Sequence, residues 1–291
     1  MELWTHIDQA IQIATGESFN TLLRRGAGGG CINQGWFLEG AHRRYFVKLN
    51  SAERSEMLAA EAEGLRVLRE PAALVVPAPI CQGVHGTQTY LVLEHLDLDG
   101  RADPIRFGHA LAALHRNTAA AFGWHRDNTI GSTPQYNAWH PDWPTFWQER
   151  RLGPQLDLAR VRGAPRRLLE RGERLREASP TLLGGRTVEP SLLHGDLWSG
   201  NWGFTADGAP AIFDPAVYHG DHETDLAMTE LFGDPGADFF SAYAERMPID
   251  GGYPLRKGFY NLYHVLNHFN LFGGSYAGQA ERMIDRLLAE L

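Results

Sequence analysis

Cysteine is nearly absent from this sequence: 291 residues hold only two, Cys31 and Cys81. They make no Cys-x-x-Cys or Cys/His zinc spacing and no disulfide framework, so a reducing, cytoplasmic setting is expected. Long apolar runs are missing too, since none approaches the ~20 residues of a membrane span. The N-terminal stretch carries Glu2 and Asp8 and lines up Leu3, Ile7, Ala10, Ile11 and Ala14 on one face. That pattern predicts an amphipathic helix rather than a secretory signal. Excess positive charge is lacking as well. Lys and Arg number 27 against 35 Asp and Glu, a net charge of −8, which argues against a nucleic-acid partner. Finally, no Gly-x-x-x-x-Gly-Lys-Ser/Thr occurs, which closes the P-loop route to nucleotide binding.

What remains is ordinary globular composition, 43% hydrophobic and 21% charged, enough for one large domain or two lobes. Residues 1–96 read as strand-rich. Tyr45-Phe46-Val47-Lys48-Leu49 and Thr89 to Glu94 are predicted strands, and a helix is predicted over about 53–68. Residues 97–291 read as mostly helical. Asp103-Pro104 is an N-cap and first helical residue for a helix to about Ala121. Further helices are predicted near 144–160, 163–178, 224–232, 236–247, 254–272 and 277–290.

Gly28, Gly29 and Gly30 leave a backbone without Cβ atoms, whose amides can approach phosphate oxygens; a plain hairpin turn is the other reading. In the strand that follows, the period of two separates Lys48 from Val47 and Leu49. A lysine in a buried strand needs an anion. Glu61 supplies one, sitting on the helical stripe Leu58, Leu65, Leu68 where an apolar residue is expected. The pair would aim the ammonium at phosphates.

The strongest signal is His194-Gly195-Asp196-Leu197-Trp198-Ser199-Gly200-Asn201, followed by Ile212-Phe213-Asp214-Pro215. Asp196 and Asn201 have the spacing of a kinase catalytic loop, with the aspartate as base and the asparagine as metal ligand. Asp214 closes an apolar run and would be the second Mg²⁺ ligand, one carboxylate plus one amide plus phosphates being a sufficient set.

On these residues the chain resembles the fructosamine kinase (ketosamine 3-kinase) family, within the aminoglycoside-phosphotransferase branch of the protein-kinase-like fold. The likeness runs nearly end to end. It includes Gly-Gly-Gly-Cys-Ile at 28–32, Phe-Val-Lys at 46–48, Leu-Glu-His-Leu at 93–96, Leu-Ala-Ala-Leu-His-Arg at 111–116, Thr133-Pro134-Gln135, Arg151 with Gln155, and Gly220-Asp221-His222-Glu223-Thr224-Asp225-Leu226. It implies an α+β, bilobal fold, with a small antiparallel-sheet nucleotide-binding lobe (1–96) and a mostly helical catalytic and acceptor lobe (97–291). It implies ATP and Mg²⁺ as cofactors and backbone groups of Glu94 and Leu96 facing adenine. The implied reaction is phosphorylation of O3 of a ketosamine, such as ribulosamine or fructosamine, free or protein-bound. The unstable product then releases its amine, a deglycation repair. A monomer or weak dimer is expected.

Several residues have two readings. Trp198 is a platform for the sugar or a core residue. Trp139, Trp143 and Trp147, four apart, read as core packing or as a substrate box. Asp221 binds an acceptor amine or lies in a solvated loop, and Asp225 caps a helix or braces the catalytic loop. His219 departs from the family pattern, which usually has a bulkier aromatic there, and is a candidate acceptor residue. His115 reads as structural. Cys31 is a redox-sensitive thiol, including by an intermolecular disulfide that the resemblance permits, or a small tolerated residue. Two other functions remain open: a kinase of another small hydroxyl compound (aminoglycoside, choline or sugar), and a non-catalytic nucleotide-binding module.

Overall fold

The computed structural model describes residues 2–28 and 32–291. The chain forms two compact units, one of residues up to Ala102 together with Gly203–Pro215, the other of Asp103–Trp202 and Ala216–Leu291.

The first unit is built on an antiparallel sheet in the order β1-β2-β3-β5-β4: β1 Leu23–Ala27, β2 Gln34–Glu39, β3 Arg44–Ser51, β4 Pro79–His85 and β5 Gln88–Glu94. Alternation along β3 sends Tyr45, Val47 and Leu49 into a core with Leu38, Tyr90 and Val92. Helix α1 (Leu3–Thr15) closes that core with Ile7 and Ile11, one turn apart on its apolar face. Lys48 is therefore directed to the opposite face of the sheet. There α2 (Ser55–Arg69) packs against β4 and β5 and buries Met57, Leu58, Ala62, Leu65 and Leu68. Strand β4, absent from the sequence reading, lies at a sheet edge. Its opening Pro79, a bulge at Pro79/Cys81 and Gly83 are features an edge tolerates and a sequence pattern hides.

Gly203–Pro215 joins this unit by backbone bonds. Val75 donates to Pro210 O (2.9 Å), Ile212 donates to Val75 O (2.9 Å) and Gly100 donates to Phe204 O (3.0 Å). The segment pairs strand Trp202–Phe204 with Pro210–Ile212 and ends on Asp214. A two-span division at residue 96 assigns these residues to the other unit.

The second unit is mostly helical: α3 Pro104–His115, α4 Trp143–Trp147, α5 Gly153–Val161, α6 Arg166–Glu177, α7 Ser179–Leu183, α8 Glu223–Thr229, α9 Ala237–Ala244, α10 Tyr253–Phe272 and α11 Tyr276–Ala289. The Asp103 carboxylate caps α3 by accepting from Arg106 N (2.9 Å), with Pro104 in the first turn. The helix stops at His115 rather than near Ala121, because the chain turns extended: Leu192 donates to Asn117 O (2.7 Å) and Thr118 bridges Ser191. The stretch expected as one helix over 144–160 is α4 and α5 joined by a π-helical turn at Gln148–Leu152. Two short antiparallel pairs complete the unit, Asn128–Ile130 with Thr133–Gln135 and Ser191–Leu193 with Tyr218–Gly220. Among the described residues no helix is long and apolar enough to cross a membrane.

Candidate active site

In the first unit Lys48, 4% exposed, reaches two carboxylates. Its Nζ lies 2.5 Å from Glu61 Oε1 and 2.5 Å from Asp214 Oδ1. Burial alone would lower the lysine pKa; the charges of Asp214 and Glu61 outweigh it and the net shift is upward. Burial, with the neighbouring Asp214, raises Glu61, and Lys48 offsets this only in part. The ammonium is thus held charged while shared between two acids. Glu61 is a buried hold; Asp214, with a side chain 45% exposed, is the open one. Asp214 also has φ +58°, a left-handed conformation uncommon outside glycine that aspartate tolerates better than most. Gly28 follows β1, while Gly29, Gly30 and Cys31 lie outside the described residues. Glu94 ends β5; its N–H donates to Ala78 O (2.8 Å) and its Oε2 accepts from Ala78 N (3.1 Å). Leu96 follows, half-buried, in irregular chain.

In the second unit strand Ser191–Leu193 leads directly into the loop bearing Asp196. Two backbone donors of that loop, His194 N and Gly195 N, reach Asp225 Oδ2 (2.7 Å) and Oδ1 (2.8 Å). Asp225 is itself held by His115 Nε2 at 3.2 Å, and His115 Nδ1 lies 2.7 Å from Tyr243 Oη. Burial pushes the Asp225 pKa up; bonding and charge from His115, with His194 and the Gly195 amide, more than reverse it, leaving it below the ordinary carboxylate value. Gly195 has φ +83°, and a Cβ there would lie 2.0 Å from Ala216 O, so no other residue fits. Beyond it, Asn201 Nδ2 donates to Asp196 O (2.8 Å) and approaches Asp196 Oδ2 (3.3 Å). Asn201 N donates to Trp198 O (2.9 Å). The loop therefore couples the carboxylate at 196 to the amide at 201, with Asn201 only 5% exposed.

A profile of the fructosamine kinase family matches residues 3–290. The chain belongs to the fructosamine kinase family. It is 47% identical to a probable ketoamine kinase of Synechocystis over 98% of this chain and 97% of that protein. It is 40% identical to the chloroplastic protein-ribulosamine 3-kinase of Arabidopsis thaliana over 91% of this chain and 82% of that protein. A crystal structure described as that of a candidate fructosamine-3-kinase from Haemophilus somnus superposes with a TM-score of 0.89 at 26% identity, covering 99% of this chain and 100% of that one. The aminoglycoside phosphotransferase APH(4)-Ia, at 15% identity and a TM-score of 0.61, shares the fold. The fold class is accordingly protein-kinase-like α+β, and this fructosamine kinase family member is a phosphotransferase with an alcohol group as acceptor.

Within this fructosamine kinase family chain the remaining candidates separate. Trp198 is 38% exposed and is not a core residue; its indole lies over Gly200, where a Cβ would meet the ring at 2.2 Å. Trp143 and Trp147 are core, but Trp139 is 46% exposed, so the expected stripe is broken at its first member. Asp221 is in no solvated loop. It is fully buried, bonded to Tyr260 Oη and paired with Arg186, and it accepts from Glu223 N (3.1 Å). Its carboxylate is spent within the protein rather than offered to an acceptor amine. His219 is half-buried on strand Tyr218–Gly220, its ring 5.8 Å from that of Trp139. Asp225 acts as the loop brace.

Sequence reasoning missed the cations that hold this acidic cluster, Arg186 on Asp221 and Arg256 on Glu223. Arg256 donates to both oxygens of Glu223 (2.6 and 2.7 Å) and to Asp250 (2.6 Å). The signal was present: Arg256 is a cation on α10 among Phe259, Tyr260, Leu262 and Tyr263, the same anomaly that singles out Glu61 on α2.

Proposed function

We propose that this protein uses ATP and Mg²⁺ to phosphorylate O3 of a ketosamine, ribulosamine or fructosamine, as a deglycation repair. The support comes from the relatives named ketoamine kinase and protein-ribulosamine 3-kinase. The observation that carries the reading to residues is the braced loop in which Asn201 bonds Asp196.

In this reading Asp196 orients the acceptor hydroxyl and takes its proton as the oxygen bonds to the γ-phosphorus. The bond from that phosphorus to the β,γ-bridging oxygen breaks, and ADP departs. Lys48, kept charged and aimed by Glu61, neutralises phosphate oxygens. The glycines at 28–30 bring bare amides to the phosphates, and backbone groups of Glu94 and Leu96 meet adenine. Asn201 and Asp214 fit Mg²⁺ by the chemistry of their donors: an amide oxygen fixed in orientation through its own nitrogen, and a partly exposed carboxylate. When bound, the ion supplies charge neutralisation at the transferring group. Trp198, exposed two residues beyond the base, is the platform for the sugar. The phosphorylated product loses its amine by elimination.

ATP consumption measured with ribulose-lysine and fructose-lysine tests this. Turnover of at least one is expected, with kcat reduced about 10²–10⁴-fold in Asp196→Asn. Turnover of aminoglycosides but of neither ketosamine would replace the reading with a kinase of another small alcohol.

A further inference from the structure

Residues 136–139 present two exposed aromatics, Tyr136 (44%) and Trp139 (46%), on irregular chain that is nonetheless tightly held. Arg151, with no exposed surface, donates to Tyr136 O (2.6 Å) and Asn137 Oδ1 (2.7 Å). Asn137 and Gln135, both buried, donate to Asn128 Oδ1 at 2.8 and 2.9 Å, and Gln135 also donates to Ala216 O (3.1 Å). Phe122 and His140 exchange both backbone bonds at 2.9 Å, and Trp124 donates to Asn137 O (2.8 Å). Ala216 in turn donates to His194 O (2.8 Å), two residues before Asp196. A continuous run of hydrogen bonds thus ties the segment that carries Trp139 to the catalytic loop. A buried guanidinium is a costly way to hold a surface segment, and what it holds is an aromatic face.

His219 borders that face, its ring tilted 35° to the indole at 5.8 Å. The backbone of His219 is clamped by Gly123, to which it both donates and accepts at 2.8 Å, and pairs across the strands with Leu192. Its Nδ1 is buried and has no hydrogen-bond partner among the described residues. Burial holds the imidazole below its ordinary pKa, so at neutral pH it places no positive charge beside the indole. From Leu192 to Asp196 is four residues, at most roughly 13 Å of extended chain. The reacting hydroxyl and the nitrogen of a ketosamine are only four bonds apart, so within that limit it is the nitrogen-borne arm, and not the sugar, that extends toward the indole.

We propose that Trp139 and His219 form the subsite for the nitrogen-borne arm of the acceptor, the indole stacking on its alkyl stem and attracting the protonated secondary amine. The assignment rests on the ketosamine reading above. It predicts selectivity for alkylated amines over a bare aminoketose, since both carry the ammonium that the indole attracts but only the alkylated amine has a stem to stack on it.

Full-length wild type, Trp139→Ala, Trp139→Phe and His219→Ala are compared with three varied substrates: 1-amino-1-deoxyribulose, Nε-ribulosyl-lysine and ATP. Trp139→Ala is expected to raise KM for ribulosyl-lysine about tenfold. The KM for the bare aminoketose should rise at least fivefold less, the KM for ATP should hold, and Trp139→Phe should recover most of the loss. Equal changes for both acceptors, or no change for either, would overturn the subsite while leaving the ketosamine reading intact. A wild type inactive on every ketosamine would remove both together.

Discussion

Lys48 carries one positive charge against two acids, and each acid depends on it differently. Glu61 is buried, so removing the lysine leaves a carboxylate in low dielectric without a cation; Asp214 is half open to solvent. Lys48→Met keeps the length and deletes the charge. It is expected to lower stability by about 3 kcal/mol and kcat/KM for ATP by about 10²-fold. Lys48→Met/Glu61→Gln then recovers most of the stability, because nothing charged is left buried, while activity stays low. Thermal unfolding and ATP kinetics on the two variants separate these effects. A double variant that regains activity would show the ammonium to be structural only.

At the scale of elements, the short strand Ser191–Leu193 and the loop it feeds depend on one buried acid. Asp225 takes two backbone amides that would otherwise lose their partners, and it sits in α8 after a turn whose own residues are buried. Asp225→Asn turns one acceptor into a donor facing an N–H. A loss of kcat of about tenfold or more is expected, together with a lower melting temperature. Because its folded pKa is depressed, Asp225 binds its proton more weakly folded than unfolded. Its stabilisation is therefore complete above the ordinary value of 3.8 and disappears as pH falls through the lower folded value. The variant should lack that acid-side loss, which unfolding curves between pH 5 and 2 would register. The loop's chemistry was legible because Asp196 and Asn201 are five residues apart and local geometry joins them. Asp225 was legible only as one of two alternatives, since nothing in a sequence says whether an acid before an apolar run caps its own helix or reaches a loop some thirty residues away. The same limit hid Arg186 and Arg256. Edge strand β4 was missed because proline and glycine, read as turn formers, are admissible at an edge.

For the molecule as a whole, the two units are not two spans of sequence. Asp214 stands 166 residues from Lys48 and enters the first unit on a returning segment, which a boundary drawn from composition cannot see. The second unit also holds two buried histidines whose titration is expected to make the chain sensitive to acid. Burial, together with the charges of His115, Arg186 and Arg256, pushes His222 down to about 3, and burial with His268 does the same for His264. Between about 3 and their ordinary 6.5 both are neutral when folded and take up a proton on unfolding. The unfolded state then binds more protons, so stability rises with pH across that interval and is lost as pH falls from about 6.5 toward 3. The melting temperature should be nearly level from pH 8 to 7 and then fall well before carboxylates begin to titrate. His264→Gln, which cannot charge, should start lower at pH 7.5 and decline less steeply to pH 4.5, and His222→Gln should do likewise. Unchanged slopes in both variants would place the acid sensitivity elsewhere than in these two rings.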